Sequence, residues 1–233
     1  MKHVLDKGFV ALVQTQGHAG IVVDSARCSF GSTGDDLGEK DQRLIRYLSD
    51  HGHTSPFRHL MLTFHVKAPL FVFRQWWKYQ VGSSWREYET QEGDAVAFDI
   101  QVDTDQGCTW NELSGRYKVL ESEFYVPEHA RKNTGKQTAD SCEELDGLLH
   151  HIRAHQSASI DTYNLLLEGG MAREMARLVL PPTIYSECFW TVSLQGVLHF
   201  LDQRLHPDAQ YEIRQYAHAV LDLIRPTLRE LGL

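Results

Sequence analysis

Between Met61 and Ala68 the chain alternates with period two: Leu62, Phe64 and Val66 fall on one face, and Thr63, His65 and Lys67 on the other. Such alternation specifies a strand buried on one side only. A strand of that kind must lie in a sheet whose apolar face is covered by another layer. Pro69 ends the strand, because it has no backbone N–H to donate. Leu70 to Gln80 then runs without Gly or Pro and reads as a helix, in which Arg74 and Lys78 stand four apart. A second alternating stretch, Thr183 to Val192, sets Ile184, Cys188, Trp190 and Val192 to one side.

Helical spacing fills much of the remainder. Leu44, Ile45 and Leu48 mark a helix of about a dozen residues, broken by Gly52-His53-Thr54-Ser55-Pro56. Ser55 and Pro56 are read as the N-cap and first position of a short new helix. Ser141 with Glu144 three residues on forms a capping-box signature. The helix it opens carries Leu145, Leu148, Leu149 and Ile152 and is predicted to reach Leu167, before Gly169-Gly170. A short helix with Arg173 and Arg177 ends at Pro181-Pro182, and two more follow, one on Leu194, Val197, Leu198 and Leu201, the other on Ile213, Tyr216, Ala217, Val220 and Ile224. Near the start, Phe9 to Val13 and Gly20 to Val23 read as strands with turns between. The fold class is mixed α/β (α+β), with helix in the majority.

Residues 85–108 break the pattern. A polar run from Trp85 to Asp94, a brief apolar run from Val96 to Ile100, and Asp103, Asp105 and Gly107 read as an excursion containing a hairpin, too short for a second domain. The 233 residues, 42% hydrophobic, are expected to form one domain with a single core. A net charge of −8 argues against a duplex-DNA binder, though not against a pocket for a small anion. No stretch approaches the roughly 20 apolar residues of a membrane span, and Met1-Lys2-His3-Val4-Leu5-Asp6-Lys7 is too charged for a signal peptide, so a cytoplasmic protein is expected. Cys28, Cys108, Cys142 and Cys188 show no C-x-x-C spacing and are read as reduced thiols.

Metal binding is not expected. His53, His59 and His65 are six apart, and His150-His151-x-x-x-His155 lacks a Glu base. There is no glycine-rich phosphate loop either. Six cations, Arg74, Lys78, Arg116, Arg173, Arg177 and Arg204, sit mostly beside apolar or aromatic neighbours. Two readings of them stand: solvated helix faces with structural ion pairs, or a phosphate clamp built from guanidinium forks. Trp76, Trp77 and Trp110 either pack in the core or stack on a planar ring.

Several segments, in order and spacing, carry a family likeness: Leu5-Asp6-Lys7-Gly8-Phe9-Val10, His51-Gly52-His53-Thr54-Ser55-Pro56-Phe57, Phe64-His65-Val66-Lys67-Ala68-Pro69, Arg74-Gln75-Trp76-Trp77, Asn111-Glu112-Leu113-Ser114-Gly115-Arg116-Tyr117, Arg177-Leu178-Val179-Leu180-Pro181, Phe189-Trp190-Thr191-Val192 and Ala209-Gln210-Tyr211-Glu212-Ile213. Through them the chain closely resembles the flavin-dependent thymidylate synthases over nearly its whole length. The resemblance implies a single domain, residues 1–233, with helices around a central sheet containing antiparallel strands, and an insertion at about 85–108. The chain also departs from the family pattern. Lys78-Tyr79-Gln80 stands where Arg-His-Arg is usual, the insertion splits that signature, and Ser193-Leu194-Gln195 stands where relatives often carry Asn-x-Arg.

The resemblance further implies FAD as cofactor, NADPH and methylenetetrahydrofolate as co-substrates, dUMP as substrate, and a homotetramer with active sites between subunits, with no nucleic-acid polymer or membrane as partner. Gln75, Lys78, Glu112, Ser114, Gly115, Arg116, Arg177 and Arg204 would hold dUMP. Arg204 would be the catalytic residue, taking up negative charge on the pyrimidine. Ser29, His53, Ser55, Lys78, Tyr79, Gln80, Glu112, Ser193, Leu194, Gln195 and His199 would line the flavin, His199 at a position where relatives can carry Asn. Two alternatives stay open: a related uracil-nucleotide hydroxymethylase, and a non-catalytic flavin- or nucleotide-binding homologue.

Overall fold

The computed structural model describes residues 1–28, 37–78, 86–89, 96–99, 108–132 and 141–233. Its centre is a five-stranded sheet of β1 (Lys2–Val4), β2 (Gly8–Gln16), β3 (Met61–Pro69), β7 (Tyr185–Ser193) and β6 (Cys108–Glu112), in the order β1-β2-β3-β7-β6. Every neighbouring pair is antiparallel. The alternating stretch 61–68 therefore becomes the central strand, and its register with β7 sets the core. Phe64 faces Trp190, which in turn faces Trp110 on the edge strand, and the rings stack across the sheet at 5.4 and 5.5 Å. On the opposite face Thr63 bonds Thr191 at 3.0 Å and His65 bonds Glu187 at 2.9 Å.

Helices α3 (Leu70–Trp77), α6 (Leu194–Arg204) and α7 (Tyr211–Leu231) contribute to the core with the apolar face of the sheet. Trp76 stacks on Phe200 at 4.6 Å and meets Trp190 edge-on at 5.2 Å. Leu62, Phe64, Val66, Val72, Phe73, Ile213 and Val220 are fully buried, each contributing roughly 1.5–3 kcal/mol by leaving water. Gly8 admits no side chain: a Cβ there would lie 2.0 Å from the Tyr216 hydroxyl, which donates to the Lys67 carbonyl at 2.8 Å.

Several local expectations need correction. Gly20–Ala26 is a helix, α1, not a strand. The ladder between β2 and β3 ends at Gln16↔Met61, and Gly17 at φ +89 turns the chain away, so the β-branched Ile21-Val22-Val23 has no strand to pair with and buries Val22 and Val23 from a helix. Val13 is exposed at an irregularity in the β2–β3 register between Leu12 and Gln14. The short helix Ser55–Arg58 is capped by Thr54, so Ser55 lies inside it. Helix α3 stops at Trp77 with Lys78 as its C-cap.

Ser141 does not cap a helix. It is drawn into a bridge with Arg131, and the helical path begins with a 3-10 turn, Glu143–Leu148, before α4 (Leu149–Glu168). Arg173 and Arg177 are split between α5 (Arg173–Ala176) and a 3-10 turn, Arg177–Val179. Helix α2 (Glu39–Asp50) stands as expected. So does the hairpin of the excursion, β4 (Arg86–Glu89) paired with β5 (Val96–Asp99). Cys108, however, already belongs to the main sheet, paired with Val192, so the excursion ends before it.

Candidate active site

The residues named from sequence gather in three places. The first lies where β6 runs out. Ser186 on β7 donates to Glu112 at 3.0 Å. Burial raises the Glu112 carboxyl above its ordinary range, against the Ser186 hydrogen bond and the positive charge of Arg177, which lower it. Beyond β6 the chain turns tightly. The backbone N–H of Tyr117 donates to the Ser114 carbonyl at 3.1 Å, and that of Arg116 to the Ser114 hydroxyl at 3.3 Å. Gly115 is buried against Arg177, whose Cδ would lie 3.4 Å from a Cβ at that position. Arg116 lies over the Tyr117 ring and 3.8 Å from Glu174, and Arg173 donates to the Tyr117 carbonyl. Glu112, Ser114, Gly115, Arg116 and Arg177 are thus one group, with two exposed guanidinium groups at its mouth.

The second place is the meeting of α3 and α7. Gln75 donates from its amide to Gln210, whose own amide donates to Glu212 at 2.8 Å. Glu212 is 1% exposed. Its other oxygen accepts from the Tyr125 hydroxyl at 3.0 Å and from Arg131. Burial, and then the negative charge of Glu212, push the Tyr125 phenol up, which keeps it a donor. Gln210, Glu212, Tyr125 and Arg131 were given no role from sequence. A signal existed for Glu212, which stands four residues before Tyr216 on the apolar stripe of α7. Lys78 is exposed at the end of α3. Arg204, in the last turn of α6, is 8% exposed, whereas Arg74, Lys78, Arg116, Arg173 and Arg177 are all exposed.

The third place is the start of α6. The Ser193 hydroxyl caps the helix by accepting from the Gly196 N–H at 3.2 Å, and the Leu194 N–H donates to the Leu60 carbonyl. Ser193 and Leu194 are buried. Gln195 accepts a 2.6 Å hydrogen bond from Arg58, the last residue of the 55–58 helix that begins with Ser55. His53 and His199 are exposed, and His53 stacks near Tyr47 at 6.3 Å. Ser29, Tyr79 and Gln80 lie outside the described residues.

Ser186, bonded to Glu112, and Ser193 lie seven residues apart on β7. At about 3.3 Å per residue they are separated by roughly 23 Å.

Other chemistry has little footing here. Cys108 and Cys188 are buried; burial pushes the Cys108 thiol up to about 11, against its hydrogen bond from Trp190, and Cys188 up as well. Neither is a ready nucleophile at neutral pH. Among the described residues no group of three or more His, Cys, Asp or Glu side chains is placed to hold a metal, and no helix is long and apolar enough to cross a membrane. A cleft of about 500 Å³, lined by His3, Asp6, Tyr125, Arg153, Tyr211 and Gln215 among others, includes none of the residues named for substrate or flavin.

An α+β fold with paired guanidinium groups beside a half-buried carboxylate, and hydroxyl, amide and guanidinium groups at a helix start, suits phosphorylated, planar molecules. Comparison with known proteins makes the class specific. Residues 11–228 match the family model described as thymidylate synthase complementing protein, Thy1. The chain is 41% identical over 224 residues to the flavin-dependent thymidylate synthase of Thermus thermophilus, covering 95% of this chain and 73% of the relative. It is 40% identical over 227 residues to that of Thermosipho africanus, covering 95% and 88%. In three dimensions it is similar to the UMP/dUMP methylase PolB from Streptomyces cacaoi bound with 5-Br dUMP. There the TM-score is 0.76 at 27% identity, over 99% of this chain and 96% of the other. The chain belongs to the flavin-dependent thymidylate synthase family, and it is an enzyme of the methyltransferase kind.

Proposed function

We propose that this protein converts dUMP to dTMP, taking the carbon from methylenetetrahydrofolate and reducing power from NADPH through bound FAD. In this reading it is one cytoplasmic domain spanning residues 1–233, with the insertion, which ends before Cys108, beside the site residues in sequence. The observation that carries the reading is the burial of Arg204: of the six cations singled out in the sequence it alone is withdrawn from water. A guanidinium at low dielectric stabilises charge developing on a ring far better than an exposed one does. Arg204 takes up the negative charge of the pyrimidine and so raises the nucleophilicity of its C5.

Arg177 and Arg116 hold the nucleotide phosphate, and Glu112 fixes the substrate end through Ser186. Ser114, whose hydroxyl receives the Arg116 N–H, positions substrate and performs no attack. Gln75 and Lys78 hold the nucleotide from α3. The start of α6 suits a dinucleotide in the kind of donors it gathers, Ser55, Arg58 and Gln195, with His53 and His199 at its exposed margin. FAD, when bound, supplies hydride, which no side chain can.

The separation of roughly 23 Å between the two ends of β7 supports sites completed by a neighbouring subunit, because one chain's two groups stand far apart. Exposed apolar residues on and after α4 (Ile152, Leu165, Met171, Met175 and Leu178) offer a face for contact with a further copy, in keeping with the homotetramer we propose.

The test is product analysis. Purified protein given FAD, NADPH and methylenetetrahydrofolate releases tritium from 5-tritiated dUMP and yields a product with methyl in place of that hydrogen, heavier than dUMP by one CH2. Arg204→Ala abolishes turnover while flavin absorbance is retained. A product heavier by one further oxygen identifies a hydroxymethylase, and a protein that takes up no FAD ends the reading. UMP is run beside dUMP, because the PolB methylase is described for both nucleotides.

A further inference from the structure

We propose that Arg58 is a flavin-binding residue, a guanidinium that grips the FAD diphosphate at the start of α6 in place of the arginine that position 195 lacks. The inference rests on the reading of this end of the molecule as the flavin site. Arg58 closes the Ser55–Arg58 helix, and its Nε donates to the Gln195 amide oxygen at 2.6 Å. Held there, the two terminal nitrogens remain as a fork, the part of a guanidinium that matches two phosphate oxygens.

The surroundings of Arg58 leave its charge open to an anion. Five arginines face carboxylates, Arg27 with Asp41, Arg43 with Glu39, Arg116 with Glu174, Arg131 with Glu212 and Arg225 with Asp222, whereas Arg46, Arg173 and Arg214 bond backbone carbonyls. Among the described residues Arg58 has no such carboxylate and is tied to a neutral amide instead. That amide belongs to the second residue of α6, whose first turn carries no acidic residue. A helix start bears partial positive charge and ordinarily attracts acids. A cation placed beside it adds to that positive field. A diphosphate lying across the fork would neutralise both.

Charge bookkeeping along the sequence agrees. Gln195 occupies the family's arginine position, and one hydrogen bond away stands an arginine from a different element. A cation thus stands beside that position, supplied by its contact partner.

The experiment strips flavin from the full-length protein and titrates FAD and riboflavin back by fluorescence quenching. Wild type, Arg58→Ala, Arg58→Lys and Arg58→Ala with Gln195→Arg are compared, and circular dichroism checks each fold. Arg58→Ala is expected to weaken FAD binding about tenfold or more while riboflavin binding, which involves no phosphate, is unchanged. Arg58→Lys falls between, and the added Gln195→Arg restores most of the loss. FAD affinity unchanged in Arg58→Ala, equal losses for FAD and riboflavin, or no recovery with Gln195→Arg overturns the proposal while leaving the flavin enzyme intact. Wild-type protein that takes up no FAD overturns the underlying reading instead, and the proposal with it.

Discussion

Replacing Glu212 tests whether a buried carboxylate sets the polarity of the Gln75 amide, proposed above to hold the substrate. Two oxygens, sealed from solvent, accept from three donors, the Tyr125 hydroxyl, Arg131 and the Gln210 amide. A carboxylate can only accept, so the Gln210 NH2 must point at it and the Gln210 carbonyl must point away, toward Gln75. Gln75 therefore gives its own NH2 to Gln210 and leaves its carbonyl oxygen outside the relay, available to the substrate in the proposed reading. Glu212→Gln preserves shape but brings an NH2 into the relay. If its carbonyl stays with Tyr125 and Arg131, its NH2 meets the Gln210 NH2, and relief requires Gln210 and then Gln75 to turn over. The lost charge on the Arg131 and Tyr125 hydrogen bonds should cost about 1.5–3 kcal/mol. Glu212→Ala leaves Arg131 beside an empty, dry space and should cost about 3–5 kcal/mol, on the order of 10 °C in Tm for a chain of this size. Thermal unfolding at fixed protein concentration measures the first effect, and dUMP KM the second. KM should rise about tenfold in Glu212→Gln with FAD affinity unchanged, the size of one misplaced hydrogen bond. A Glu212→Gln protein with wild-type KM would refute the relay; a Glu212→Ala protein within about 0.5 kcal/mol of wild type would refute the claim that the carboxylate holds the fold.

Three further outcomes follow from other parts of the structure. Gly8→Ala should cost about 3 kcal/mol or more, because its Cβ would meet the Tyr216 hydroxyl at 2.0 Å and backbone carbonyls at 2.7 and 2.8 Å; an unshifted denaturant midpoint would show that the close approach is wrong. Iodoacetamide on native protein at neutral pH should label exposed Cys28 and spare Cys108 and Cys188, with peptide mass mapping as the readout. His129 is raised by its hydrogen bond to Asp146, and Asp146 is lowered by the same bond. The histidine's contribution is thus full below its ordinary 6.5 and fades as pH rises through its higher folded value. The carboxylate's is full above its ordinary 3.8 and fades as pH falls through its lower one. The Tm difference between wild type and His129→Ala should accordingly be present at pH 5.5 and gone by pH 9; a difference equal at both would exclude charge as its cause.

What was legible in the sequence divides by the range of the interactions involved. The half-buried strands 61–69 and 185–193 could be read because a one-sided environment imposes period two on the residues themselves. Gly20–Ala26 misled because Ile21-Val22-Val23 is strand-like locally, and only the end of the β2–β3 ladder, set by a partner about forty residues away, denies it a place in the sheet. Ser141 misled for a similar reason, since its pairing with Arg131 outcompeted its own capping chemistry. Within the site, Glu112, Ser114, Gly115 and Arg116 are continuous in sequence, so their proximity was foreseeable, and Gly115 shows why Arg177 joins them. Glu212 alone of the Gln75–Gln210–Glu212 relay left a signal, because its members come from α3 and the start of α7, brought together only by the core.

The departures from the family pattern were legible as losses, and only the fold shows where one of them has a counterpart. Phosphate recognition depends on the field and the donors at a point in space, not on which backbone segment supplies them. An arginine can therefore leave the first turn of α6 provided another reaches the same point, and Arg58 stands one hydrogen bond from it. Lys78 is a different case. It retains a charge at the end of α3 but has lost the fork, so a bidentate grip there must come from elsewhere. Exchange of arginines between contacting positions leaves the sequence signature damaged and the local charge nearly unchanged. A broken signature is then weak evidence for lost activity, whereas a neutral residue at position 195 with no cation beside it would have been strong evidence.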